Sequence, residues 1–194
     1  MRQSNMATGG REIEVKIPVP GVNGIPDKLK TAGFLVSAER IFEANTLYDT
    51  AEQDLRRNDQ ILRLRQVGQH VLLTWKGPGE PGPHKDREER ETGIDSFPEM
   101  HAILERLGYA PTFRYEKFRT EFRQKGEDDG VVTLDETPIG TFLELEGPGP
   151  WIDRTAQFLG FSKEDYVLES YGRLYLAYCA QRGLQPTNMV FASQ

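Results

Sequence analysis

The sequence predicts an α+β protein built on an eight-stranded, antiparallel, closed β-barrel with a charged interior and helices packed outside. About eight segments alternate with a period of two residues, and mostly short turns join them. Successive side chains of a strand point to opposite faces. In nearly every segment acidic and basic residues share one face while the opposite face is apolar, which indicates an enclosed charged cavity.

Length and composition favour one domain. The 194 residues suffice for a sizeable core, and we expect a disordered leader (1–10), a single domain (11–183) and a polar C-terminal tail (184–194). The net charge of −6 argues against a general nucleic-acid binder, and no apolar run has transmembrane length, so we expect neither nucleic acid nor a membrane as partner. The lone Cys179 fits a cytoplasmic protein without disulfides. The sequence leaves open whether the protein forms a homodimer.

Proline and glycine residues mark the ends of the predicted elements in the first half of the chain. Pro18 and Pro20 end a strand over 12–18, and Gly33 is a candidate C-cap for a helix over 25–32. A long strand over 35–49 precedes a turn or single helical turn at 54–59. Strands over 60–67 and 70–76 form a hairpin around Gly68.

The second half opens with a Gly/Pro-rich loop over 77–83, which we predict to be mobile. A strand follows over 85–94, and a helix over 96–107 ends at Gly108. The remaining predicted elements are strands over 114–125, 131–136 and 141–146 and helices over 151–159 and 170–182.

The charged faces carry nearly equal numbers of bases and acids. The bases are Lys16, Arg63, Arg65, Lys76, Lys85, Arg87, Lys117 and Arg119. The acids are Glu12, Glu14, Glu89, Glu91, Asp135, Glu144 and Glu146. Near balance matters because a cavity of a single sign could not fold without its ligand.

Three acid pairs lie two residues apart on one face, at 12/14, 89/91 and 144/146. Such carboxylates repel each other unless a cation lies between them, and Mg²⁺ and Mn²⁺ prefer oxygen ligands. Opposing arginines and lysines would bind phosphate oxygens. The alternative is a half-exposed sheet with cross-strand ion pairs in water, and the repetition over seven strands disfavours it.

The ordered motifs resemble the CYTH domain family, named for the CyaB-type class IV adenylyl cyclase and thiamine triphosphatase and also known as triphosphate tunnel metalloenzymes. The resemblance covers about residues 11–177. Its motifs are Glu12-x-Glu14-x-Lys16, Leu47–Thr50, Leu62–Arg65, Leu73–Pro78, Arg87–Glu91, Glu116–Arg119, Leu134–Glu136, Gly140–Glu146 and Ser170-Tyr171. The resemblance implies an eight-stranded tunnel that binds a triphosphate with a divalent metal.

Roles for individual residues follow as hypotheses. We assign Mg²⁺ or Mn²⁺ to Glu12, Glu14, Glu144 and Glu146, and phosphates to the eight bases named above. Glu89 and Asp135 are candidates for a second ion or an activated water, and Tyr48 for assisting proton transfer.

The favoured function is metal-dependent hydrolysis of tripolyphosphate, thiamine triphosphate or a nucleoside triphosphate. Phosphoryl transfer needs mainly positioning and charge neutralisation, which such a tunnel supplies. The first alternative is a class IV adenylate cyclase that converts ATP to cyclic AMP and pyrophosphate. Some cyclases of the family carry a His-Phe pair before the first Glu-x-Glu, and here no histidine precedes His70. A triphosphate-binding module without turnover is the third possibility. No P-loop or G-x-S-x-G motif is present.

Overall fold

Eight antiparallel strands close into a barrel in the computed structural model, which describes residues 10–126 and 129–192. The order around the barrel is β1-β5-β4-β3-β2-β6-β7-β8, and β8 pairs back with β1. The strands are β1 Gly10–Val19, β2 Phe34–Asp49, β3 Ile61–Val67, β4 His70–Lys76, β5 Lys85–Ile94, β6 Ala110–Gln124, β7 Val131–Thr137 and β8 Gly140–Glu146. The predicted fold class is confirmed. The leader predicted for 1–10 lies outside the described residues, apart from Gly10.

The helices lie between strands and after the barrel. They are α1 Ile25–Thr31, α2 Asp54–Arg57, α3 Phe97–Arg106, α4 Gly149–Phe158 and α5 Tyr171–Arg182, with a 3₁₀ turn at Lys163–Asp165. α3 begins at Ser96, whose side chain accepts a hydrogen bond from the backbone N–H of Glu99 (3.4 Å). No helix in the described part of the chain is long and apolar enough to cross a membrane.

The main apolar core lies outside the barrel wall. Val15 and Ile17 of β1 are fully buried on the outer face, because they alternate with the inward Glu14 and Lys16. Strands β1, β7 and β8 present this face to α1 and α4, through Leu29, Trp151 and Ile152 among others. A second cluster packs α3 against β3 and β4, around Leu64, Val71 and Leu104. The helices therefore cover the apolar faces, which leaves the charged faces to enclose the interior.

The C-terminal segment is part of the packed structure. The backbone N–H of Met189 donates to the carbonyl of Arg114, and the N–H of Glu116 donates to the carbonyl of Met189 (both 2.9 Å). β7 pairs with β6 only from Phe118 onward, so the chain around Met189 covers the edge of β6 that β7 leaves free. Met189 is 1% exposed, although the composition predicts a polar tail at 184–194.

Gly130 lets α4 approach the start of β7, and its replacement by alanine should destabilise the protein. A Cβ there would lie 2.7 Å from two ring atoms of Trp151 and 2.8 Å from the backbone oxygen of Glu146. We expect Gly130→Ala to lower the free energy of unfolding by about 1–3 kcal/mol, as overpacked sites do. Gly21→Ala is the control, since its Cβ meets nothing within 4 Å. Urea unfolding of both variants measures the difference, and equal stabilities would contradict the close packing.

Candidate functional site

The barrel encloses a cavity of about 940 Å³. Thirteen of the fifteen predicted site residues line it: Glu12, Glu14, Lys16, Arg63, Arg65, Lys76, Lys85, Arg87, Glu89, Lys117, Arg119, Glu144 and Glu146. They come from β1, β3, β4, β5, β6 and β8, and cross-strand register brings them together. Glu14 lies opposite both Lys85 and Glu146, and Lys16 lies opposite Glu144. Asp135 and Tyr48 do not line the cavity.

Asp135 lies on the same inward face of β7 as Thr133 and fixes two cations. It is fully buried, and its carboxylate accepts hydrogen bonds from Lys117 Nζ (2.8 Å), Arg119 Nε (2.7 Å) and the Tyr171 hydroxyl (2.9 Å). A buried carboxylate with three donors is well compensated. Asp135 therefore orients Lys117 and Arg119, and it has no free face toward a metal or a water in the cavity.

Glu144 continues the same ion-pair network. Its carboxylate contacts Arg119 on one side and Lys16 Nζ on the other, the latter at 3.2 Å. Burial acts to raise the pKa of Glu144, but Lys16 and Arg119 outweigh it and hold that pKa well below its usual range. Glu144 is thus a charged, neutralised carboxylate in the middle of the bases.

Glu12 and Glu14 of β1 are both paired with lysines. Glu12 accepts from Lys76 with both oxygens, at 2.6 Å for Oε2. Glu14 Oε1 accepts from Lys16 (3.0 Å) and Lys85 (2.7 Å). Burial acts to raise the pKa of Glu14, but Lys16 and Lys85 hold it well below its usual range. Burial and the neighbouring Glu14 raise the pKa of Glu12.

Glu146 carries the least compensated charge of this group. It makes no ion pair among the described residues (10–126 and 129–192), and it lies opposite Glu14. Glu146 is exposed to solvent as a residue and also borders the cavity. The low-dielectric surroundings, followed by the charges of Glu12 and Glu14, raise the pKa of Glu146 to about 7.

A divalent metal suits these carboxylates by chemistry and charge. As the side chains stand, no group of three or more His, Cys, Asp or Glu residues in the described part of the chain is arranged to hold a metal ion. The reason is that Glu12 and Glu14 are turned toward lysines. Glu12, Glu14 and Glu146 are nonetheless hard oxygen donors whose mutual repulsion raises the pKa of Glu146. A cation among these three would relieve that repulsion.

The opposite wall carries the arginines of β3. Arg63 donates to the Thr74 hydroxyl (3.1 Å), and its guanidinium lies 3.5 Å from Glu91 and 3.8 Å from Glu89. Glu89 also lies 3.2 Å from Lys76 Nζ. Arg87 Nε is 3.7 Å from Glu12. Each of these cations is held by protein acids and still borders the cavity.

The structure corrects the role suggested for Tyr48. Tyr48 is 2% exposed in the cluster beneath α3, and its hydroxyl is hydrogen-bonded to His101 Nδ1 (2.8 Å). It packs against the barrel and is too far outside to transfer a proton in the cavity.

Several interior residues escaped the sequence analysis. Glu43 and Asn45 of β2 are buried, and the cavity is also bordered by Tyr115, Thr133 and Tyr171. Period-two alternation from Leu47 could have found Glu43 and Asn45. Tyr171 comes from the start of α5, and strand periodicity carries no signal for it.

Comparisons with known proteins agree with this architecture. The model of the CYTH domain family matches residues 10–159. A Methanocaldococcus jannaschii protein named "putative adenylate cyclase" is 30% identical over 135 residues, which are 70% of this chain and 75% of the relative.

Solved structures share the fold. A "putative adenylate cyclase" from Vibrio parahaemolyticus has a TM-score of 0.73 and 23% identity, over 86% of this chain and 98% of its own. A Pyrococcus horikoshii protein has a TM-score of 0.70 and 24% identity over the same shares. A Hippeastrum protein has a TM-score of 0.58 and 19% identity, over 91% and 97%, and is described as a "putative adenylyl cyclase" that reveals a dominant triphosphatase activity.

The raised pKa of Glu146 predicts a pH-dependent stability of the metal-free protein. Between the usual pKa of 4.5 and the folded value of about 7, the folded protein keeps a proton that the unfolded chain has released. The contribution of this group to the free energy of unfolding therefore falls as pH rises through that window. In Glu146→Gln this position carries no titrating proton, so the decrease is absent. The free energy of unfolding of the variant minus that of wild type should therefore be larger at pH ~8 than at pH ~5. Urea unfolding with a chelator measures it, with the exposed Glu52→Gln as control, and parallel pH profiles of Glu146→Gln and wild type would contradict the assignment.

Proposed function

Because the chain belongs to the CYTH domain family, we propose that it is a metal-dependent enzyme that hydrolyses a triphosphate inside the barrel. The observation that carries the proposal is the cavity itself, where buried arginines and lysines face carboxylates across about 940 Å³. Candidate substrates are tripolyphosphate, thiamine triphosphate and a nucleoside triphosphate. Each carries a chain of several negative charges, which suits a wall of cations.

Substrate binding would use the bases that the protein acids already orient. Arg63 and Arg65 can each offer two parallel N–H groups to a phosphate, whereas Lys16, Lys76, Lys85, Arg87, Lys117 and Arg119 add further positive charge. Their heads lie in a low-dielectric interior, where attraction to phosphate is stronger than in water. Because Asp135 fixes Lys117 and Arg119 beforehand, little ordering remains to be done on binding.

The chemical step would be attack of water on a phosphorus of the bound chain. The new P–O bond forms as the bond to the bridging oxygen breaks, the water proton leaves to a base or solvent, and the leaving phosphate carries off the electron pair. The bases neutralise the charge that develops on the phosphoryl oxygens. Glu89 borders the cavity between Lys76 and Arg63 and is our candidate for orienting the water. Asp135 serves as a positioning residue instead.

A divalent metal would be held by Glu12, Glu14 and Glu146, with Glu144 deeper in the barrel as a further carboxylate. Mg²⁺ or Mn²⁺ bound there supplies a Lewis acid and a counter-charge for phosphate oxygens. The lysines that now contact Glu12 and Glu14 would become free to bind phosphate. The acids and bases of the interior would thus exchange mutual pairing for pairing with metal and substrate.

Adenylate cyclase activity is the second candidate, and the names of the Methanocaldococcus and Vibrio relatives support it. In that reaction the ribose 3′-hydroxyl attacks the α-phosphorus of ATP and pyrophosphate leaves. The description of the Hippeastrum structure supports the triphosphatase. A binding module without turnover is the least favoured, since acids and bases suited to catalysis all line the cavity.

The products formed by the purified protein separate these three functions. With Mg²⁺ or Mn²⁺, we expect orthophosphate from at least one of tripolyphosphate, thiamine triphosphate and ATP, and no cyclic AMP, because water is the nucleophile. Chromatography of the products is the measurement. Cyclic AMP with pyrophosphate would establish the cyclase instead, and tight binding without any product would establish the module.

Substitutions should separate the metal-binding acids from the phosphate-binding bases. We expect Glu12→Gln to lower kcat about 100-fold or more, with partial recovery at high Mg²⁺ or Mn²⁺, because it removes a ligand charge with little change of shape. Arg65→Ala should raise KM about tenfold or more and leave the metal dependence nearly unchanged. Glu52→Gln, on the surface, is the control. Near-normal activity of Glu12→Gln would mean that this acid is only an ion-pair partner.

A further inference from the structure

Glu43 is a buried acid of the barrel that belongs to neither the proposed metal-binding group nor the proposed phosphate-binding group. It lies on β2 with 3% of its surface exposed, and it is in register with Lys117 of the neighbouring strand. Its carboxylate lies 3.6 Å from Lys117 Nζ and 4.0 Å from an Arg65 nitrogen. Glu43 therefore places a negative charge within the wall that is proposed to bind phosphate.

The contacts of Glu43 are long compared with those of Asp135. Lys117 Nζ is 2.8 Å from Asp135, which is hydrogen-bond distance, whereas 3.6 Å is not. Glu43 Oε2 is buried without any hydrogen bond among the described residues, and so are both amide atoms of Asn45 and the Nε of Arg65. Leaving buried polar atoms unpaired is unfavourable. Asp135 thus holds Lys117 by a hydrogen bond, whereas Glu43 attracts Lys117 without forming one.

Glu43 is ionised at the neutral pH of an activity assay. Burial acts to raise its pKa, but Lys117, Arg65, Arg119 and Arg63 outweigh burial and lower it to about 2. The four cations that act on Glu43 all border the cavity, so an anion bound to them would be close to the Glu43 carboxylate.

We infer that Glu43 is a positioning residue that aims Lys117 and Arg65 toward the phosphate chain and competes with its oxygens for both. The inference rests on the proposed function. A phosphate oxygen at normal hydrogen-bond distance from Lys117 and Arg65 would replace the two long contacts of Glu43. The displaced carboxylate would remain nearby and repel the substrate, which weakens ground-state binding while keeping the two cations oriented for the reaction.

The test compares binding with turnover in Glu43→Gln. Calorimetry with inorganic tripolyphosphate and a chelator should give a Kd about tenfold lower than wild type, because one like charge is removed from a low-dielectric wall. Hydrolysis with Mg²⁺ should show a lower KM together with a kcat lowered about tenfold. A residue that only stabilised the fold would show weaker binding, so an unchanged or higher Kd overturns the inference.

Glu121→Gln is the matched control for the loss of one charge. Glu121 borders the same cavity and makes no ion pair among residues 10–126 and 129–192, so its replacement should change Kd by less than about threefold. An equal effect of the two variants would overturn the specific role of Glu43. If wild type binds no tripolyphosphate, the proposed function fails as well; binding by wild type without tightening in Glu43→Gln refutes only the inference.

Thermal unfolding tests the inference even if Glu43→Gln is less stable than wild type. Glu43→Gln leaves four cations with less compensation, so its Tm should fall without ligand, and tripolyphosphate should raise it by more than it raises the wild-type Tm. A variant that remains unfolded with saturating tripolyphosphate would show that Glu43 is only structural and would overturn the inference.

Discussion

Closing eight strands around their charged faces forces acids and bases to neutralise each other inside the barrel. One continuous series of contacts runs from Lys117 through Asp135, Arg119, Glu144, Lys16 and Glu14 to Lys85. Removing a single partner from such a series would leave an uncompensated buried charge, which is strongly destabilising. The requirement for mutual pairing also explains the inverted architecture, since the apolar residues that would fill an ordinary barrel lie on its outer face beneath helices.

The same pairing divides the interior into two regions with different properties. Asp135 is saturated by several donors, so Lys117 and Arg119 are fixed but still border the cavity. Around Glu146 the acids outnumber nearby cations, and burial together with the charges of Glu12 and Glu14 raises the pKa of that carboxylate to about 7. Under the proposed function, the first region would attract a polyphosphate and the second a divalent cation. A metal–triphosphate complex therefore matches the charge distribution better than either component alone.

The alternation of side chains between the two faces of a strand explains both what the sequence could predict and what it could not. Alternation placed Glu12, Arg63 and Lys117 inside correctly, because the direction of a side chain on a regular strand is a local property. Tyr48 belongs to the strand-end motif Leu47–Thr50 but packs outside the barrel beneath α3, where a register shift in β2 interrupts the alternation. Glu43 and Asn45 lie on the same face of β2 as Leu47, so the same local rule marks them as inward-facing. Tyr171 reaches Asp135 from a helix about 36 residues further along the chain, and such contacts depend on tertiary packing.

Hydrolysis and cyclisation make almost the same demands on this barrel. Both need the phosphate chain straightened, its oxygens neutralised and one phosphorus exposed to a nucleophile. In the proposed site the two reactions would differ in the nucleophile and in which phosphorus lies beside Glu12, Glu14 and Glu146 when the remaining phosphates contact the bases. That register depends on how strongly each base along the wall attracts an oxygen. If Glu43 competes for Lys117 and Arg65 as proposed, it would weaken one position of the wall relative to its neighbours and so act on the variable that separates the two reactions.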